Sequence, residues 1–111
     1  MENMDFYKGL NVAITVSDKN GEVIYQNDSS IEVNGDARGR NLQQCHNERS
    51  WQMICHMLSH AATNAYTIST TGKRKLIYQT PWYEDDAKQT VGGLVELSIV
   101  LPEEMPHFDR G

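Results

Sequence analysis

With 111 residues, 39% of them hydrophobic and 23% charged, the chain can bury one core but not two, and it is too apolar for a disordered tail. Fifteen acidic residues against ten basic ones give a net charge of -5, and no lysine or arginine run could follow a phosphate backbone, which excludes a nucleic-acid binder. No apolar run approaches the roughly 20 residues that span a bilayer, the N-terminus lacks the basic and apolar regions of a leader peptide, and two cysteines are too few for a disulfide scaffold. A cytoplasmic protein that touches no membrane is expected, folded as one domain over 1–111 with its core at about 10–101.

Residues 11–17 are rich in β-branched side chains (Val12, Ile14, Thr15, Val16), which favours a strand. Asn20-Gly21 supplies two residues that accept positive φ cheaply, so 22–27 returns as the second arm of a hairpin. One of Asn27, Asp28, Ser29 or Ser30 then caps a short helix that runs through Val33, and 34–39 reads as a loop. From Asn47 or Ser50 to about Ala65 the apolar residues Trp51, Ile54, Cys55, Leu58, Ala61 and Ala62 recur at helical spacing. Strands follow at 65–70, 73–83 and 91–101, the last alternating Val95, Leu97, Ile99 and Leu101 with Glu96 and Ser98. Its apolar stripe is expected to face the helices. The linker 84–90 is polar, and the prolines of the tail 102–111 cannot extend a strand. Strand, strand, helices and three strands make an α+β domain: a five-stranded antiparallel sheet with its helices on one face.

In this order the sequence resembles a PAS domain, the small sensor module of many signalling proteins. Val16, Asp18, Gly21, Val23, Tyr25 and Asn27 look like that family's opening hairpin. Gly39-Arg-Asn-Leu42 resembles its glycine-led entry to the later helices, and Gly92-Gly93 before Leu94 resembles its closing hairpin. The Cys45-His46 pair is similar to a step found in one bacterial subgroup. The resemblance implies a sheet roofed by helices over a small-ligand pocket, and signal passed to a protein partner through dimer or flanking contacts. No kinase, cyclase or DNA-binding segment follows in this sequence, and Met1 favours a chain that acts alone over one excised from a larger protein.

The stretch 39–60 gathers both cysteines and three of the four histidines. Thiolate and imidazole suit zinc, iron and copper, and His56 and His60 stand a chelating four apart. A step of about 100° per residue nonetheless puts Cys55 beside Trp51 on the apolar face and both histidines on the opposite side, so they cannot all meet one ion. Cys55 therefore reads as a small core residue and His56 and His60 as solvated. Cys45 and His46 precede that helix. A structural role, with His46 bonding at the helix entry, stands there beside ligand contact or redox sensing. Some PAS members hold haem through a helical histidine of this region, which the resemblance extends to His56.

Tyr78, Trp82 and Tyr83 read as sheet packing, and the acids Glu84, Asp85, Asp86, Glu103 and Glu104 as solvated loops. No nucleophile elbow, phosphate loop, dinucleotide fingerprint or zinc-protease motif is present, so no enzyme is expected and no cofactor is required. The expected function is a non-catalytic sensor or interaction module, and the phase of its elements puts Tyr25, Cys45, Trp51, Ile54, Leu58, Tyr78, Leu97 and Ile99 on the pocket. A metal- or haem-dependent redox sensor using Cys45 with His46 or His56 is the alternative. Met4, Phe6 and Tyr7 form an apolar patch ahead of the first strand, from which a homodimer is expected. A small molecule and a signalling protein are the further expected partners.

Overall fold

The computed structural model describes residues 5–111, which leaves Met4 outside the described residues. Along the chain run β1 (Ala13–Asp18), β2 (Val23–Gln26), α1 (Asp28–Asn34), α2 (Leu42–Cys45), α3 (Glu48–His60), β3 (Asn64–Thr70), β4 (Lys73–Tyr83) and β5 (Val91–Leu101). Every strand pair is antiparallel, in the order β2-β1-β5-β4-β3. The expected α+β architecture is present, with one helix more than the spacing indicated: α2 is a single turn, too short to show a period. No helix among the described residues is long and apolar enough to cross a membrane.

Asparagines begin all three helices. Asn27, Asn41 and Asn47 accept from the backbone N–H groups of Ser30, Gln43 and Ser50, which would otherwise lack an acceptor. The third helix stops at Ala61, which turns left-handed at φ 52° and returns its N–H to Met57, a few residues earlier than its apolar spacing predicts. Helix end and strand start compete for this segment, and pairing with β4 from Asn64 onward wins it for the sheet.

The core lies under α3. Ile54, Met57 and Leu94 are buried, with Leu42, Trp51, Leu58 and Ala62 packed against them. Cys55 is exposed, which corrects its reading as a core residue: the buried stripe passes through Met57, two positions on, and Cys55 lies just past its edge. The hairpin end is pinned to the same helix. Gly21 sits at φ +88°, and a Cβ there would lie 2.7 Å from the Trp51 ring, so the turn needs glycine for conformation and for space.

The orientation of β5 differs from the expectation. Leu94 packs under α3 and Glu96 faces the helix side, whereas Val95 and Leu97 face away with Ile14, Val16 and Tyr25. Register extends each set across the sheet. On the helix side a polar row runs Gln26, Thr15, Glu96, Gln79, Asn64 through all five strands. On the far side an apolar row runs Ile14, Leu97, Tyr78, Ala65. A period of two assigns residues to opposite faces without saying which face the helices will take.

Candidate functional site

Between the sheet and the segment 34–54 lies a cavity of about 260 Å³. Its floor is Thr15 and Ser17 of β1, Val23 and Gln26 of β2, and Leu94 and Glu96 of β5. Leu42, Cys45, His46 and Ile54 close it from above, with Asn34 and Ala37 at one side. Floor and roof are therefore supplied by segments far apart in sequence, and only the folded sheet brings them together.

Hydrogen bonds fix each wall. The Gln26 amide donates to Ser30 Oγ and to the Gly35 carbonyl, each at 3.0 Å, and its oxygen accepts from Ala37 N–H at 2.7 Å. One buried glutamine thus ties β2 to the loop after α1. Thr15 and Ser30 share a hydroxyl bond of 2.6 Å. Across the floor, Asn64 donates to Gln79 Oε1 at 3.3 Å and Gln79 donates to Glu96 Oε2 at 2.8 Å. A carboxylate only accepts, so it sets the orientation of both amides in the chain.

His46 follows α2. Its Nδ1 lies 2.9 Å from the Leu42 carbonyl, which accepts and cannot donate, so Nδ1 carries the hydrogen and the neutral ring keeps Nε2 as an acceptor. The imidazole closes the end of α2, while Asn47 opens α3.

A second depression lies beyond His46, lined by Arg49, Met53, Asn64, Tyr66 and Gln79. Burial there, with the charge of Glu96 added, pushes the Tyr66 phenol above its ordinary value.

Of the residues expected on the pocket, Cys45 and Ile54 line this cavity, and so does His46 of the alternative. Trp51 and Leu58 sit against the core and border a surface depression with Lys19 and Val91. Tyr25 and Leu97 face a different hollow on the far side of the sheet, with Tyr7, Ile14, Val16 and Val95. Tyr78 pairs with Leu97 and Ile99 with Leu76, which places them on that far side too. The four on the far side share one cause: the sheet turns toward the helices the face opposite to the one expected. The residue missed was Glu96, and a signal existed: it is the lone charge in 91–101, and a carboxylate amid apolar strand residues costs stability unless it is paired or used.

His56 and His60 are exposed and stack on each other at 4.2 Å between ring centroids, off the cavity. Among the described residues no three His, Cys, Asp or Glu side chains gather as a metal ion would require.

On the far face the N-terminal segment folds against the sheet. Tyr25 donates its hydroxyl to Asp5 Oδ2 at 2.7 Å, and buried Asn27 donates to the carbonyls of Tyr7 and Val12 at 2.8 and 2.7 Å. Desolvation, then the bond to Asp5, pushes the Tyr25 phenol up to about 12, and the same bond holds the Asp5 carboxyl below its ordinary value.

No family model matches the chain, and no curated protein matches it in sequence. Among solved structures it is similar to a C-terminal domain from Streptococcus mutans, at a TM-score of 0.68 and 20% identity over 85% of this chain and 78% of that one. It is similar to the PAS domain of the histidine kinase ThkA, at a TM-score of 0.66 and 14% identity over 81% of this chain and 99% of that one. A third likeness is to the PAS domain of a protein from Colwellia psychrerythraea, at a TM-score of 0.65 and 15% identity over 88% and 92%. At such identities the likeness establishes the fold.

Proposed function

We propose, from the PAS fold that this chain has, that it is a non-catalytic sensor or interaction module: a small molecule held between sheet and helices is coupled to a protein partner on the outer sheet face. The observation that carries this reading is the cavity of about 260 Å³ in which the polar side chains of Thr15, Gln26, His46 and Glu96 converge among Val23, Leu42, Ile54 and Leu94. Ligand sites are concave, mostly apolar and oriented by a few convergent polar groups, and this cavity has that make-up just below their usual roughly 300–1,000 Å³. The thiols Cys45 and Cys55 are both free, in keeping with a reducing, cytoplasmic setting.

The partner surface is the apolar row through Leu97 and Tyr78, bordered by Tyr7, with Ile14 buried beneath its edge. No helix covers it. A second copy of the chain is the occupant we assign, because a two-fold pairing sets the same apolar row against itself and buries both at once. Any further signalling partner then meets the dimer.

The redox alternative fits the site less well. Cys45 and His46 share the cavity wall, but two donors fall short of the three protein ligands of even an open zinc site. His56 lies elsewhere, and a macrocycle exceeds a cavity of this size.

Native mass spectrometry of the chain, purified without added ligand and then exposed to small-molecule cell extract, tests the proposal. A two-chain mass raised by that of a small molecule, and not raised in Cys45→Trp, supports it. Bare mass in both conditions, or a Soret band or stoichiometric zinc lost on Cys45→Ala/His46→Ala, overturns it.

A further inference from the structure

We propose that the occupant of the cavity is a small organic cation bearing N–H donors, for which a protonated primary amine on a short hydrocarbon is the simplest case, and that Glu96 holds it. This rests on the reading of the cavity as a ligand site and names the class of ligand.

The polar groups of the cavity have mostly spent their donors on the protein. Gln26 gives both amide hydrogens to Ser30 and Gly35, and Ser17 gives its hydroxyl to the Asp18 carbonyl. The Gln79 amide reaches Glu96 from the next strand, and His46 commits its Nδ1 hydrogen to Leu42. What remains is acceptor capacity: Glu96 Oε1, which has no hydrogen-bond partner among the described residues, and the free ring nitrogen of His46. Asn34 and Cys45, at the rim, retain side-chain donors toward the space, and the Thr15–Ser30 pair, which shares one hydrogen bond, keeps one hydroxyl hydrogen to spare.

The charge is one-sided as well. No lysine or arginine lines the cavity, and the two ion pairs among the described residues, Lys8–Asp28 and Arg38–Asp36, lie elsewhere. Arg49 borders the neighbouring depression and forms no ion pair with Glu96. A carboxylate or phosphate on the ligand would meet Glu96 as a like charge at reduced dielectric, where repulsion is stronger than in water. An ammonium group meets it as a charge-assisted hydrogen bond. Val23, Leu42, Ile54 and Leu94 then surround the hydrocarbon part, so charge end and apolar end each have a matching wall.

Three probes of equal length separate the possibilities: n-butylammonium, butyramide and butyrate, each titrated into the ¹⁵N-labelled chain while backbone amide shifts are followed. The expected result is butylammonium shifting amides around Ser17, Ala37, Cys45 and Glu96, with the other two at least tenfold weaker. In Glu96→Gln, which keeps the oxygen that Gln79 needs, butylammonium binding falls about tenfold and the preference for charge disappears. Cys45→Trp, at an exposed position on the rim, abolishes all cavity shifts and checks the location if Glu96→Gln folds poorly. If butyramide or butyrate binds as well as butylammonium, or Glu96→Gln binds it unchanged, the assignment of a cation is wrong while the ligand site stands. If no probe shifts a cavity amide, both readings fail.

Discussion

Trp82 reaches across β5 to donate its indole N–H to the carbonyl of Ser17 on β1, at 2.8 Å and across 65 positions of sequence. Such a span is open only because the intervening strand carries Gly92 and Gly93: a Cβ on Gly92 would run into the Trp82 ring, and one on Gly93 into the Ser17 carbonyl. The glycine pair is a saddle for the tryptophan, and it locks three strands at one end of the cavity floor. Gly93→Ala is expected to cost about 3 kcal/mol, the upper end for overpacking, because the obstructing atom is backbone. Trp82→Phe, which keeps the ring and loses the donor, should cost about 1–2 kcal/mol. Urea denaturation monitored by circular dichroism measures both, and a Gly93→Ala chain as stable as the parent would refute the saddle.

Asn27 is a four-bond hub. Its Oδ1 accepts from Ile14 and Ser30, and its Nδ2 donates to Tyr7 and Val12. Asn27→Ala removes the cap of α1 and leaves a buried N–H on β1 unpaired, at a combined cost of about 2–4 kcal/mol. Asn27→Asp keeps the acceptor and loses the donor, so it should fall between. Hydrogen exchange of the Ile14 and Ser30 amides is the direct readout: fast in the alanine variant, slow in the aspartate one.

The clasp between Asp5 and Tyr25 depends on pH at both ends of the scale. Asp5 titrates below the ordinary aspartate value of 3.8, so its contribution is present above that value and is lost as pH falls through the lower, folded one. Tyr25 titrates at about 12 against an ordinary 10.0, so its contribution is present below 10.0 and is lost as pH rises toward 12. Asp5→Asn should bring the Tyr25 midpoint back toward 10.0. Ultraviolet titration of the phenolate in a chain whose other tyrosines are phenylalanine checks this.

Leu97 occupies the middle of the apolar row on the outer face. Leu97→Lys places a charge at the centre of the assigned dimer contact, and light scattering should then give the mass of one chain where the parent gives two, with little change in thermal stability. A variant that remains dimeric would move the interface off this face.

Local chemistry wrote much of this fold into the sequence. Asn20-Gly21 turned the first hairpin, asparagine side chains at 27 and 47 opened helices, and β4 and β5 run between Lys73 and Tyr83 and between Val91 and Leu101, the bounds expected from the turn before the one and the alternation of the other. Each of these signals acts within a few residues, where spacing and side-chain type suffice. Of the site, Cys45 and Ile54 were legible, along with His46 beside them.

What the sequence left open was the side of the sheet on which α3 lies. Both faces of β5 carry apolar residues, Leu94 on one and Val95, Leu97 and Ile99 on the other, and alternation separates the faces without ranking them. The packing of Ile54 and Met57 onto Leu94, and of Trp51 over Gly21, settled it. That contact put Glu96 under the helices and turned the longest apolar stripe outward, so the character of the cavity and of the outer face was decided by tertiary structure.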